Sequence, residues 1–222
     1  MRARHLAPLP ALAALLVTVS LLGACSSNAT STLPEQVPSA TGSPSGAPVS
    51  AFGLTTSAKY QFSIRYPLRW VSAVQAAKSG DKVVTTLLSL SWADPKGKVV
   101  GGGFVDTLHV SVYAMSKKVG PHDVATHRAA FVAIAAGMLK DLPHLRITEP
   151  IRPLTLNGTP GLQVTYTYTV QGARVGAMSY LLPKGRYGYW VSGQSSATTW
   201  SSAWSKLAPA MASFTIGPVK GS

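Results

Sequence analysis

The chain has 222 residues, 46% of them hydrophobic and only 12% charged, with 20 Lys and Arg against 7 Asp and Glu, a net charge of +13, and one cysteine. A lone cysteine excludes any intramolecular disulfide, so whatever folds here must be held by its core. The basic balance suggests either an anionic neighbour or a solvated surface that keeps the protein soluble.

In chain order, Arg2, Arg4 and His5 give a basic start, and an apolar run from Ala11 to Leu22 follows, broken by Thr18 and Ser20. That is the layout of a secretory signal: a positive region, a short apolar core, then small residues at a cut. The run is shorter than the roughly 20 residues a membrane-spanning helix needs. Leu22-Gly23-Ala24-Cys25 resembles the bacterial lipobox, an aliphatic residue and two small residues before cysteine. The resemblance implies cleavage between Ala24 and Cys25, a diacylglyceryl group on the Cys25 thiol and a cell-membrane location on the extracytoplasmic face. Two or three acyl chains anchor stably where one would not, because each buried CH₂ contributes about 0.8 kcal/mol. Removing Arg2 and Arg4 with the signal leaves 18 basic residues against 7 acidic, a net charge near +11. For a secreted lipoprotein the expected partners are anionic lipid, cell-wall polymer or an envelope protein, and not nucleic acid.

Residues 25–52 then read as the lipidated cysteine and a tether of Ser, Thr, Pro, Ala and Gly with one charge, Glu35. Nothing there can bury a core, so disorder is expected. A flexible chain of about 25 residues spans roughly 25–30 Å. Residues 53–218 form the single expected domain, and 219–222 a short tail.

Tyr60–Tyr66 alternates strictly, apolar on even numbers, as a half-buried strand does, and Pro67 ends it. Val83–Trp92 reads as a second strand and Phe104–Met115 as a third. Between them, Asp94-Pro95-Lys96-Gly97-Lys98 and Gly101-Gly102-Gly103 mark a hairpin loop. The glycine triplet precedes a strand and lacks the Lys-Ser/Thr of a phosphate loop. Gly120-Pro121-His122-Asp123 opens a helix with Val124, Phe131, Ile134, Ala135, Met138 and Leu142 on one face, stopped by Pro143.

Leu145–Leu156 is extended but interrupted by Pro150 and Pro153, which suits a sheet edge. Asn157-Gly158, Gln171-Gly172 and Lys184-Gly185 are turn signals separating Gly161–Val170, Ala173–Leu182 and Tyr187–Gly193, a β-meander. In Gly161–Val170, Val164, Tyr166, Tyr168 and Val170 share one face and Gln163, Thr165, Thr167 and Thr169 the other. Thr198–Met211 reads as a helix with Trp200, Trp204, Leu207 and Met211 on one face, which Pro209 should kink or shorten. Phe214 and Ile216 make a short return.

The sum is α+β: an antiparallel sheet of about six to seven strands covered by two main helices. Tyr60-Gln61-Phe62-Ser63-Ile64-Arg65-Tyr66-Pro67-Leu68-Arg69-Trp70 resembles the opening of the PsbP-like fold. Asn157-Gly158-x-x-Gly161, the Tyr-rich meander and a last helix leading to Ser213-Phe214 resemble its end. The likeness covers most of residues 53–218 and extends to lipoproteins of the DcrB type and of the actinobacterial LpqN type. It implies a binding or assembly module, not an enzyme.

The residues agree with that implication. His122 and His127 are five apart and do not share a helix face, and the acids are scattered. No catalytic set, metal set or cofactor motif is found. Ser79-Gly80-Asp81-Lys82 fits a Ser-x-x-Lys pattern only by chance, since it falls at a turn. Two binding surfaces are open. Lys96 and Lys98 beside the glycine loop could face a partner. Alternatively, Tyr166, Tyr168, Tyr189, Trp190 and Trp200 could line a cavity for an acyl chain or glycolipid, which would make the protein a lipid carrier. An envelope hydrolase is the third and weakest reading.

Overall fold

The computed structural model describes residues 51–75 and 85–217. The expected signal, Cys25 and tether, the Ser79–Lys82 pattern and the tail all lie outside the described residues.

The alternation of Tyr60–Tyr66 produces β2 (Phe62–Pro67), with Phe62 and Ile64 fully buried. β1 (Phe52–Ser57), not expected from the sequence, pairs antiparallel with one side of β2, and β12 (Thr215–Ile216) pairs with the other. These three strands form a small sheet.

The main sheet has seven strands. β3 (Val71–Gln75) is at one edge, followed by β4 (Thr85–Ala93), β7 (Thr107–Val119), β11 (Ala173–Ser196), β10 (Thr159–Val170) and β8 (Arg146–Ile147). β9 (Arg152–Leu156) also pairs with β10, and every pairing is antiparallel. β11 is a hairpin in itself. The Ala197 N–H donates to the Arg174 carbonyl at 3.0 Å, and the Ser179 and Ser192 hydroxyls meet at 2.8 Å, so the segment folds back near Gly185, whose φ is +61°. Its first arm pairs with β10 and its second with β7, which gives the expected meander. Asn157 and Gly158 both adopt positive φ (47° and 78°), the left-handed pair that a two-residue hairpin turn between β9 and β10 demands.

Both faces of the sheet are covered. On one lie α3 (Trp200–Ala212) and the small sheet, packed on Leu108, Val110, Val112, Met178, Tyr189 and Val191. Contact is close enough that a Cβ on Gly193 would come within 2.7 Å of Met211 Sδ. On the other lie the short α1 (Asp123–Thr126) and α2 (Arg128–Leu139), whose Phe131, Ala135 and Leu139 pack with Leu162, Val164 and Ala177. The architecture is thus α+β, with three helices around an antiparallel sheet.

Two expectations need correction. The single helix after Gly120 is broken at His127 (φ −112°, ψ 34°), while the expected face holds: Val124, Phe131 and Ala135 are buried, Ile134, Met138 and Leu142 pack partly buried against the same core, and Leu139 joins them. Pro209 does not end α3: the helix runs on to Ala212. The carbonyl it leaves without a helical donor belongs to Ser205, on the exposed side, where water can serve it. In β10 both stripes are buried, the polar one included. Gln163, Thr165 and Thr167 are all under a tenth exposed, because they stand beside Met178 and Tyr180 on the α3 side.

Candidate functional site

Register divides the main sheet into two ends. At one, β3 begins at Val71 opposite Ala93, the last residue of β4, and Ala93 stands opposite Thr107, the first of β7. The first described residue is at this end too: the Ala51 carbonyl accepts from the Leu68 N–H at 2.9 Å, three residues before Val71. The chain therefore enters the domain at this end.

The loop carrying Lys96 and Lys98 projects from the same end and is firmly braced. Asp94 Oδ1 accepts the Lys96 N–H at 3.0 Å, and the Asp94 carbonyl accepts the Gly97 N–H at 2.9 Å. Lys206 Nζ, from α3, reaches Asp94 Oδ2 at 2.9 Å. Burial pushes the Asp94 carboxyl up, but the hydrogen bonds and charges of Lys206 and Lys96 outweigh it, and the group lies below its ordinary value. Deeper in, Asp106 is 5% exposed. Its Oδ1 accepts from the Ser195 hydroxyl (2.5 Å), the Ser196 N–H (3.3 Å) and the Thr199 hydroxyl (3.4 Å), and its Oδ2 from the Lys98 N–H (3.2 Å). One buried carboxylate thereby ties the loop to the start of α3. Both acids of the loop are satisfied within the fold, while Lys96 and Lys98 are exposed.

Beyond Lys98 comes the hairpin of β5 (Val99–Val100) and β6 (Gly103–Phe104), turning through Gly101 and Gly102 with φ of +58° and +79°. This is the expected glycine hairpin, and it lies over the sheet: Val100 packs in the α2-side core, and Gly101 abuts Gln171 in the β10–β11 turn.

The opposite end of the sheet carries a cluster that local sequence patterns do not announce. Val119 pairs with Gly185 and Ala114 with Tyr187, so the four residues 115–118 of β7 stand opposite Arg186 alone. That bulge brings Lys117 and Lys118 beside Lys184 and Arg186, all four exposed. Lys184 Nζ donates to the Ile216 carbonyl at 3.0 Å. Among the described residues none of the four makes an ion pair.

The five aromatics proposed as cavity lining do not meet on one surface. Tyr166, Tyr168 and Trp190 belong to the α2-side core, Tyr189 and Trp200 to the α3-side core, and all are under a tenth exposed. They fill the interior: Tyr189 donates its hydroxyl to the Tyr60 carbonyl at 2.8 Å, and Tyr168 to Gln194 Oε1 at 2.8 Å. Burial raises both hydroxyl pKa values, that of Tyr189 to about 12. A groove between α2 and the sheet, lined by Tyr113, Met115, Ile134, Met138 and Leu181, holds about 70 Å³. Small-molecule sites run to roughly 300–1,000 Å³.

A row of polar side chains crosses the α2-side face: Ser91, His109 and Ser192 stand opposite one another on β4, β7 and β11. His109 Nε2 is 2.6 Å from Ser111 Oγ and 3.4 Å from Ser89 Oγ. Burial drives the imidazole pKa down to about 4, so it is neutral at physiological pH. Tyr166, Ser179 and Ser192 extend the row by hydroxyl contacts of 3.1 and 2.8 Å. The Ser111–His109 pair has the reach of a nucleophile and base, yet no carboxylate among the described residues hydrogen-bonds the imidazole, the orienting partner such pairs use. Among the described residues no group of three or more His, Cys, Asp or Glu side chains could hold a metal ion, and no helix is long and apolar enough to cross a membrane.

Cyanobacterial PsbP (CyanoP) from Synechocystis sp. PCC 6803 superposes with a TM-score of 0.51 at 13% identity, covering 79% of this chain and 98% of CyanoP. The fold is PsbP-like. A protein from Bacteroides thetaiotaomicron (TM-score 0.47, 9% identity, 76% of this chain and 49% of that one) is also similar. So is LpqN of Mycobacterium tuberculosis, described as involved in cell envelope biogenesis (TM-score 0.44, 15% identity, 78% of this chain and 88% of that one). No protein-family model and no curated protein matches the sequence.

Proposed function

We propose that this protein is a non-catalytic lipoprotein, anchored through Cys25 to the extracytoplasmic face of a bacterial cell membrane, that binds an anionic cell-wall polymer. The observation that carries the reading is the gathering of Lys117, Lys118, Lys184 and Arg186 at the end of the sheet opposite the one where the tether arrives. An anchor at Cys25 keeps the domain within a tether's length of the bilayer and leaves the far end free to meet the wall. Four unpaired cations there suit a flexible polyanion, which needs charge density and no deep pocket. The Leu22-Gly23-Ala24-Cys25 motif supports the anchor. The burial of Tyr166, Tyr168, Tyr189, Trp190 and Trp200 on two separate faces favours a scaffold over a carrier.

The test is co-sedimentation of the protein with purified cell walls at rising salt. Neutralising the four cations together (Lys117→Gln, Lys118→Gln, Lys184→Gln, Arg186→Gln) should weaken wall binding about tenfold or more and flatten its salt dependence. Unchanged wall binding by that variant would overturn the assignment of this end.

A further inference from the structure

From the tether end of the domain we infer a seat on the anionic bilayer itself, an apolar and cationic rim that rests in the lipid headgroups. The inference rests on the anchored reading above and assigns that end a second, separate job.

Among the described residues six large apolar side chains are exposed, and four of them are at this end: Leu68 (48%), Val71 (55%), Val99 (55%) and Phe104 (39%). Backbone pairing joins them in one line. Leu68 bonds Ala51, Val71 pairs with Ala93, and the Asp94 N–H donates to the Asp106 carbonyl at 2.9 Å, at the root of the β5–β6 hairpin. Val99 and Phe104 stand directly opposite each other across that hairpin, so they present one exposed apolar face while Val100 holds the other against the core. The cations Arg69, Lys96 and Lys98 are interleaved along the same line and exposed.

The company of the charges decides the partner. Apolar tips flanked by Lys and Arg suit a membrane interface, where the tips enter the acyl boundary and the cations meet anionic headgroups. A water-soluble polyanion would leave Phe104 and Val99 wet. The acids that would repel anionic lipid are withdrawn, Asp94 to Lys206 and Asp106 to four donors within the fold. That bracing holds the hairpin in place without covering its outer face. The chain enters the domain at this same end, so an anchor at Cys25 keeps it within reach of the bilayer.

The full chain, purified from membranes and reconstituted into vesicles, tests the seat. With Cys25 acylated, a Gly103→Cys substitution gives the only free thiol for an environment-sensitive dye; a Cβ there meets only the Val100 carbonyl, at 3.7 Å. A Lys118→Cys label reports the far end. In phosphatidylcholine vesicles containing a quarter phosphatidylglycerol and a shallow nitroxide-labelled lipid, the label at 103 should be strongly quenched and that at 118 should not. Val99→Ser with Phe104→Ser should remove most of the quenching, and Lys96→Gln with Lys98→Gln should remove the preference for anionic over neutral vesicles. Equal, weak quenching at 103 and 118 overturns the seat. Failure of the anchor shows separately, as protein that does not float with vesicles and carries no acyl mass. The soluble chain mixed with the same vesicles then yields the same two quenching outcomes.

Discussion

The two ends of the main sheet use the same charges in different company. At the tether end Arg69, Lys96 and Lys98 stand among exposed apolar side chains, above carboxylates that the loop keeps for itself. At the far end Lys117, Lys118, Lys184 and Arg186 stand without large exposed apolar neighbours on their strands. A net charge of +13 does not say what the cations meet; what surrounds each one separates an interfacial surface from a polyanion surface.

The comparison breaks most severely at Asp106. Asp106→Ala leaves the Ser195 hydroxyl, the Ser196 and Lys98 N–H groups and the Thr199 hydroxyl without their acceptor. A loss of about 2–4 kcal/mol is expected in urea unfolding, since hydrogen bonds to a buried charge are worth more than neutral ones. The tether end should lose its bilayer seat while wall binding by the far end survives in the folded fraction.

His109 belongs to neither end, and its titration gives a stability effect that should leave both surfaces alone. The folded imidazole titrates near 4 and the unfolded one near 6.5, so between those values the unfolded chain holds the extra proton. Stability from this group is complete above about pH 6.5 and falls as the pH drops toward 4, by up to about 3 kcal/mol. His109→Gln should flatten that limb of the unfolding-versus-pH curve. An unchanged limb would mean that the imidazole is better solvated than its place in the sheet implies.

The far-end neutralisation should be nearly silent in stability, within about 0.5 kcal/mol, because surface substitutions away from packed groups usually are. Its effect belongs in binding alone. A large drop in urea midpoint would show that the bulge needs those cations for its shape. The smallest effect is expected from Lys206→Ala. The Lys206–Asp94 pair is 2.9 Å long, but the Lys206 side chain is half exposed, so thermal unfolding should move by well under 1 kcal/mol.

How much of this could be read in the sequence follows from where each signal resides. The α3 stripe and the glycine-marked turns were legible because local spacing alone encodes them. β1 was not, since its half-exposed FGLTTS carries little alternation and is a strand through pairing with β2. In β10 the alternation marks two faces but not their burial: an interior strand covered on both sides buries Gln163, Thr165 and Thr167 along with its apolar stripe. Lys96 and Lys98 were marked by the Asp-Pro-x-Gly turn, but the far cluster required knowing that Val119 opposes Gly185 across some 65 residues of chain. The aromatics were correctly seen as clustered in sequence, and only the fold could divide them between two faces.

Everything functional here depends on which end the bilayer holds, and so on Cys25. Intact-mass spectrometry of the protein extracted from its host's membranes measures that directly. The account predicts a chain beginning at Cys25 and heavier by a diacylglyceryl group, with or without a third acyl chain. It also predicts that a Cys25→Ala variant will be found as unprocessed precursor or shed into the medium. An unacylated chain still starting before Ala24, or a membrane-bound mature Cys25→Ala protein, would contradict it.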